Sequence, residues 1–276
     1  MTPTEFLRGT YFVESLITMD LPSRTAGLEL LLDQLSESLE ELGEACAEDA
    51  RNLHALRERL STGQFHLAVL GQFKRGKSTL LNALLGEEVL PTAILPATAF
   101  PTFLRAGRRR EIHLAFLNGR TPEKIAAEPP GDLAGFLAQF VTQDANPDNR
   151  LGVSRVDVLH PAPILRRGLV LIDTPGIGST FTQNTETTLS FLPQCDAVLF
   201  VVSAELPITQ VELDFLLRVR EKTTRMFLLL NKSDLLGPEQ RKEITEFLRR
   251  VVREKVEPEV ALPVSCISAR MGLEAR

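Results

Sequence analysis

The 276-residue sequence predicts an α/β fold, a mostly parallel sheet flanked by helices, preceded by one long heptad-patterned α-helix. Three observations carry that prediction. Apolar runs recur at 65–70 (FHLAVL), 168–172 (GLVLI), 197–202 (AVLFVV), 226–230 (MFLLL) and 262–267 (LPVSCI). Runs this continuous belong to strands covered on both faces, as in a parallel sheet. Helical spacing fills the gaps at 77–86, 184–193, 208–221 and 238–255, the alternation expected of crossover helices. Ahead of all this, the first 60 residues have a different texture.

In that N-terminal segment apolar residues recur at spacings of four and three: Leu28, Leu32, Leu35, Leu39, Leu42 and Cys46, then Leu53, Leu56 and Leu60. Asp49 breaks the series and Gly43 is its weak point. A narrow 3.5-residue seam on one long helix needs a partner, and it reads as a member of a helical bundle or as a helix packed on the following domain. Residues 1–60 hold 12 acids against 5 bases, while 61–276 hold 24 against 26. The acidity therefore sits on the helical segment, which makes nucleic acid and anionic lipid poor partners for it. The division predicted is 1–62, a helical neck or bundle segment, and 63–276, the α/β domain.

Two more stretches, 111–117 (EIHLAFL) and 153–160 (VSRVDVLH), read as strands flanking an insertion with a short helical piece, DLAGFLAQFV. The cluster Arg105, Arg108, Arg109 and Arg110 reads as a solvated hairpin, with a binding patch as the alternative. Three scattered cysteines, Cys46, Cys195 and Cys266, have neither metal spacing nor the even count of a disulfide framework, and suit a reducing compartment. No apolar run approaches a membrane span, and the start of the chain lacks a signal-peptide core.

The chemistry begins at Gly71. Gly71, Gln72, Phe73, Lys74, Arg75, Gly76, Lys77 and Ser78, followed by Thr79, fit G-x-x-x-x-G-K-[ST] with a strand before and a helix after. In that setting backbone N–H groups and a helix N-terminus cradle phosphates. Lys77 would reach the β- and γ-phosphates, and the Ser78 hydroxyl would sit on Mg²⁺. Two extra cations, Lys74 and Arg75, crowd this lysine. They point to solvent or to a facing domain, or else, as the family resemblance given below implies, the Lys74 ammonium takes the place of a monovalent cation between the phosphates.

Asp173 closes the strand of LVLIDTPG, where a buried acid needs a compensating metal or hydrogen bonds. The Gly176 amide can then turn toward a γ-phosphate. In LLLNKSD, Asp234 can accept the paired N1–H and N2–H₂ donors that guanine presents and adenine lacks. Asn231 secures that loop and reaches the base edge, and the Lys232 stem covers the ring. The turn at Ser268 and Ala269 is suited to backing guanine O6 with a backbone N–H. Among Thr92, Thr98 and Thr102, the hydroxyl expected on Mg²⁺ is Thr98, 21 residues past Lys77. The metal set is then Ser78, Thr98 and Asp173, and the catalytic set Lys77, Thr98 and Lys74. Taken in order, each at a strand end, these motifs predict a P-loop NTPase of the G-domain type, with GTP as substrate and GDP as product.

The segments GQFKRGKSTLLNALLG, LPTAILPATAFPT, NPDNRLGVSRVDVLHPAPILRRGLVLIDTPGIGST and FLLLNKSDLL resemble the GTPase domain of bacterial dynamin-like proteins over roughly residues 50–270. The resemblance implies a dynamin-type G domain with a neck helix, a G-domain homodimer that stimulates hydrolysis, and membrane remodelling. Lipid would be reached only through regions absent from this chain, so the expected location is cytoplasmic, peripheral at the inner membrane face in the full-length protein. Two departures stand out. Phe73 and Lys74 occupy the places of the water-positioning glutamine and the following serine, and no glutamine follows Gly176, where Ile177 and Gly178 stand. The chain is also expected to be truncated at the helix following Ser268 and Ala269. Rival readings are a monomeric regulatory GTPase of the Era or TrmE kind, and a nucleotide-gated scaffold with little turnover.

Overall fold

A computed structural model describes residues 25–41, 43, 46–92, 101–117, 120–126, 133–142, 144–176, 183–223, 225–256 and 262–275. The N-terminal helices are α1 (Thr25–Glu41) and α2 (Ala47–Thr62). The chain then runs β1 (Phe65–Leu70), α3 (Lys77–Leu85), β2 (Thr102–Ala106), β3 (Glu111–Phe116), β4 (Glu123–Ala126), α4 (Leu133–Val141), β5 (Val153–His160) and β6 (Leu169–Asp173). After these come α5 (Gln183–Phe191), β7 (Ala197–Ser203), α6 (Gln210–Arg220), β8 (Met226–Asn231), α7 (Pro238–Lys255), β9 (Val264–Cys266) and α8 (Ala269–Glu274).

One nine-stranded sheet has the order β4-β3-β5-β2-β6-β1-β7-β8-β9. From β6 through β9 every pair is parallel, and β2 also runs parallel to β5. The exceptions are β2 against β6, and β3 against both β4 and β5. The predicted mostly parallel sheet is therefore present, with an antiparallel margin built from the insertion. Strands β2 and β4 are additions to the sequence reading, because neither is a long apolar run. Two apolar layers cover the sheet. Leu67, Val69, Leu104 and Leu171 pack with Leu80 and Leu81 of α3 on one side, and Leu70, Ile172, Phe200 and Leu228 pack with Phe215 and Leu248 on the other.

The N-terminal segment differs from the expectation of one long helix. It is a helical hairpin that turns at Gly43, whose φ of +85° lies in the left-handed region a helix interior excludes. Arg57 pairs with Asp33, and His54 shares a hydrogen bond with Glu40 at 2.9 Å, so the two helices run antiparallel. The heptad seam does not survive as one stripe. Leu32, Ser36 and Ala50 are buried, whereas Leu35 and Leu56 are exposed. The partner the seam needs is supplied partly by its own second half. Leu42 and the side chain of Leu28 lie outside the described residues.

The arginine cluster is not a solvated hairpin, because β5 intervenes between β2 and β3. Arg105 bonds Asp157 and Gln64, and Arg110 forks onto Glu87 at 2.6 and 2.7 Å, with His160 on the same carboxylate. Arg108 and Arg109 alone of the four are exposed. All three cysteines are free thiols. Among the described residues no helix is long and apolar enough to cross a membrane.

Candidate functional site

The motif residues meet at the carboxyl ends of β1, β6 and β8, where an open α/β sheet receives ligands. Gly71 leaves β1 at φ +144°, and a Cβ there would lie 2.3 Å from the Val201 carbonyl oxygen. Gly76 opens α3 at φ +87°, and a Cβ there would lie 2.4 Å from Asn231 Nδ2. Gly71 is thus required by close backbone approach and Gly76 by the approach of the Asn231 side chain, both as well as by dihedral. The loop between them leads into the α3 N-terminus, the donor-rich end of a helix.

Lys77 is buried, and its ammonium donates to the Gly71 and Gln72 carbonyls at 3.0 and 3.3 Å. Burial pushes it down to about 8, against the upward pull of Asp173 and Glu212. A buried cation held on carbonyls is poised for an anion that would restore its ordinary affinity for a proton. Ser78 Oγ donates to Asp173 Oδ2 at 3.0 Å, and Thr174 Oγ1 ties the next residue to the Val69 carbonyl at 2.7 Å. One hydroxyl and one carboxylate side by side form a hard-oxygen donor set of the kind that, with phosphate oxygens and water, suits Mg²⁺. Ser78 and Asp173 would hold the ion, which when bound neutralises phosphate charge. Thr98 lies outside the described residues; Thr92 is exposed and Thr102 is buried.

Gly176 sits against the phosphate loop, with a hypothetical Cβ 3.1 Å from the Phe73 backbone. The segment leaving β6 therefore rests on the residue that stands where the resemblance placed a glutamine. Lys74 is exposed in the left-handed region at φ +64°, with its ammonium 5.5 Å from the Phe73 ring centroid. Arg75 takes the opposite course. Its guanidinium turns inward to Glu212 and Gln72, away from solvent.

At the end of β8, Asn231 is buried and spans three elements. Its Nδ2 donates to the Arg75 carbonyl at 2.8 Å, and its Oδ1 accepts the Ala269 N–H at 2.9 Å. That Ala269 donor, expected for a base oxygen, is here committed to Asn231. Lys232 lies at φ +59° with its ammonium on Glu205 at 2.5 Å. Burial pushes the Asp234 carboxyl up, but bonds from Ser268 and from Arg270, at 2.9 Å, outweigh it and hold the group below the usual carboxylate range. Ser268 also caps α8 by accepting the Met271 N–H at 3.3 Å. An ionised, acceptor-only Asp234 is what a pair of base N–H donors requires.

Sequence reasoning missed Glu212, Glu205 and Arg270. For Glu212 a signal existed: Thr209-x-x-Glu212 is a capping box, and both of its bonds are made. Glu205 and Arg270 carry no pattern, since each meets its partner only across the folded loops.

Comparison with known proteins points to one family. The model of the dynamin family matches residues 67–233. An uncharacterised protein encoded in the xynA 3′ region of Caldicellulosiruptor sp. is 34% identical over 258 residues, 92% of this chain and 62% of the relative. The bacterial dynamin-like protein of Nostoc punctiforme is 31% identical over 210 residues, 71% of this chain and 29% of its own. The chain thus spans less than two thirds of these relatives. A solved structure, described as an oligomerised bacterial dynamin pair for long-range sensing and tethering of membranes, superposes with a TM-score of 0.60 at 19% identity, covering 88% of this chain and 38% of that one.

Proposed function

The chain belongs to the dynamin family, and on that premise we propose that it binds GTP with Mg²⁺ and hydrolyses it to GDP and phosphate. The carrying observation is the joint placement of Lys77, Ser78 and Asp173 with Asn231 and Asp234 at the carboxyl ends of β1, β6 and β8. Lys77 stabilises phosphate charge, Ser78 and Asp173 hold the metal with Thr98, Gly176 senses the γ-phosphate, and Asp234 reads guanine. Residues 63–276 act as the G domain and 1–62 as a helical neck segment.

Neither usual position carries a glutamine to orient water, so a lone domain is a slow enzyme on this reading. Turnover rises when two G domains pair across the nucleotide face. The exposed Lys74 ammonium at that face replaces a monovalent cation. Where such a G domain is joined to further segments, as the greater length of the relatives allows, the nucleotide cycle drives membrane remodelling from the cytoplasmic face through those segments.

The test is GTP turnover against protein concentration, with size-exclusion chromatography under GDP and under GDP–aluminium fluoride. Specific activity that climbs with concentration, and a dimer seen only with the transition-state mimic, are expected. Tight GTP binding with flat, near-zero turnover and no dimer would overturn the pairing mechanism. Failure to bind GTP at all would overturn the whole reading.

A further inference from the structure

We propose that the Thr102 hydroxyl is a positioning group of the metal site, holding beside Asp173 one of the waters of a bound magnesium ion. This rests on the GTP–Mg²⁺ reading above and adds a residue on a rigid strand to the metal's surroundings. Thr102 opens β2 and is 1% exposed, yet its Oγ1 has no hydrogen-bond partner among the described residues. The antiparallel register of β2 on β6 sets Thr102 directly across from Asp173. Residues paired in this way carry their side chains on the same face, with Cβ atoms roughly 4.5–5.5 Å apart.

That face is the one α3 covers. Leu104 and Leu171, each two residues along from the pair, pack in the same apolar layer as Leu80 and Leu81 of α3. Ser78, in the first turn of α3, donates to Asp173 Oδ2 at 3.0 Å. Two hydroxyls thus flank Asp173, one arriving from the helix and one from the neighbouring strand. Only the helix hydroxyl already has its bond.

A buried hydroxyl with nothing to bond destabilises the ligand-free protein, and valine would fill the same volume without that cost. The Thr102 hydroxyl gains a partner when ligand enters. Magnesium dehydrates reluctantly and keeps several waters when it binds through one carboxylate and phosphate oxygens. A threonine hydroxyl can accept from such a water or donate to the carboxylate that orients it. Groups in this relation to a metal commonly alter its affinity by about 10–100-fold when removed.

Two readouts move in opposite directions if this is right. Retention of N-methylanthraniloyl-GDP is measured against free Mg²⁺, and melting temperature is measured without nucleotide in EDTA. Thr102→Val is expected to raise the Mg²⁺ concentration for half-maximal retention by about tenfold while raising the ligand-free melting temperature. Thr102→Ser, which restores the hydroxyl, is expected to keep the wild-type Mg²⁺ requirement. Should Thr102→Val not fold, Thr102→Ala takes its place in the Mg²⁺ comparison against Thr102→Ser. Wild-type Mg²⁺ dependence in the hydroxyl-free variant overturns the proposal alone, as does a lower melting temperature for Thr102→Val. Wild-type protein that binds the nucleotide without regard to Mg²⁺, or not at all, overturns both the proposal and the reading beneath it.

Discussion

The Arg75 guanidinium forks onto the Glu212 carboxylate, Nε to Oε1 at 2.7 Å and Nη2 to Oε2 at 2.9 Å, with Glu212 entirely out of solvent. The same carboxylate accepts the Thr209 N–H and hydroxyl, each at 2.9 Å, so it ties the phosphate loop to the start of α6. The Arg75 carbonyl also accepts from Asn231, which joins that loop to the Asn231–Asp234 motif. One residue inside the loop thus ties it to both neighbours while its charge turns inward onto Glu212.

Breaking this pair from one side strands a buried charge. Arg75→Ala and Glu212→Ala are each expected to lower stability by about 3–5 kcal/mol in urea denaturation. The double replacement Arg75→Met with Glu212→Leu is expected to recover most of the loss, because no buried charge remains unpaired. A double-variant loss as large as the sum of the two single losses would show that the pair has no such coupling.

Lys77 makes pH a probe of the phosphate cradle. Its ammonium in the folded protein titrates near 8, below the ordinary 10.5 of an unfolded chain. Below pH 8 the folded protein carries the full cost of the buried cation. Between about 8 and 10.5 the unfolded chain binds more protons, so this group makes stability rise with pH. Lys77→Met is therefore expected to stabilise the nucleotide-free protein at neutral pH by about 1–3 kcal/mol while abolishing nucleotide binding. Wild-type affinity for GDP should be level below pH 8 and weaken by up to about tenfold per unit above it, because binding must return the proton. Calorimetric titration across that range, with proton uptake read from buffer dependence, checks both signs.

The proposed reading of guanine rests on Asp234. Asp234→Asn leaves one guanine donor facing an amide N–H, and GTP affinity is expected to fall about 100-fold or more. Xanthosine triphosphate, which presents one donor and one acceptor on that edge, should bind the variant better than GTP does. Competition binding with the two nucleotides measures the exchange, and an unchanged preference for GTP would remove Asp234 from base reading.

Gly76 holds the end of the loop against Asn231. Gly76→Ala drives a methyl to 2.4 Å from Asn231 Nδ2 at a φ of +87°, which displaces the bond Asn231 makes to the Arg75 carbonyl. Nucleotide affinity should drop by about tenfold or more, with roughly 1–3 kcal/mol lost in stability. Equilibrium binding and urea denaturation of the variant measure the two effects separately.

Lys74 tests the cation reading. With Lys74→Ser, turnover is expected to need added potassium or sodium, whereas wild-type turnover does not. Normal turnover by the variant in sodium- and potassium-free buffer would remove the lysine from catalysis.

What the sequence determined by itself is what depends on short spacing. Five parallel strands, the helices between them, the Gly71–Ser78 loop, Asp173 and the Asn231–Asp234 motif are all set within runs of a few residues, where strand period, turn chemistry and motif spacing act together. The tertiary structure decided what depends on residues far apart. Sequence placed Arg75 in the loop, but only folding brings Glu212, 137 positions later, to its guanidinium. Nothing local to Thr102 announces that it opens a strand, because β2 is short and takes its place from pairing with β5 and β6. The N-terminal seam failed for a related reason. Its heptad spacing is the same for one long helix and for a hairpin of two, and the choice fell to Gly43 and to the contacts its left-handed turn allows. Local spacing fixes which atoms are available, and long-range packing fixes which of them meet.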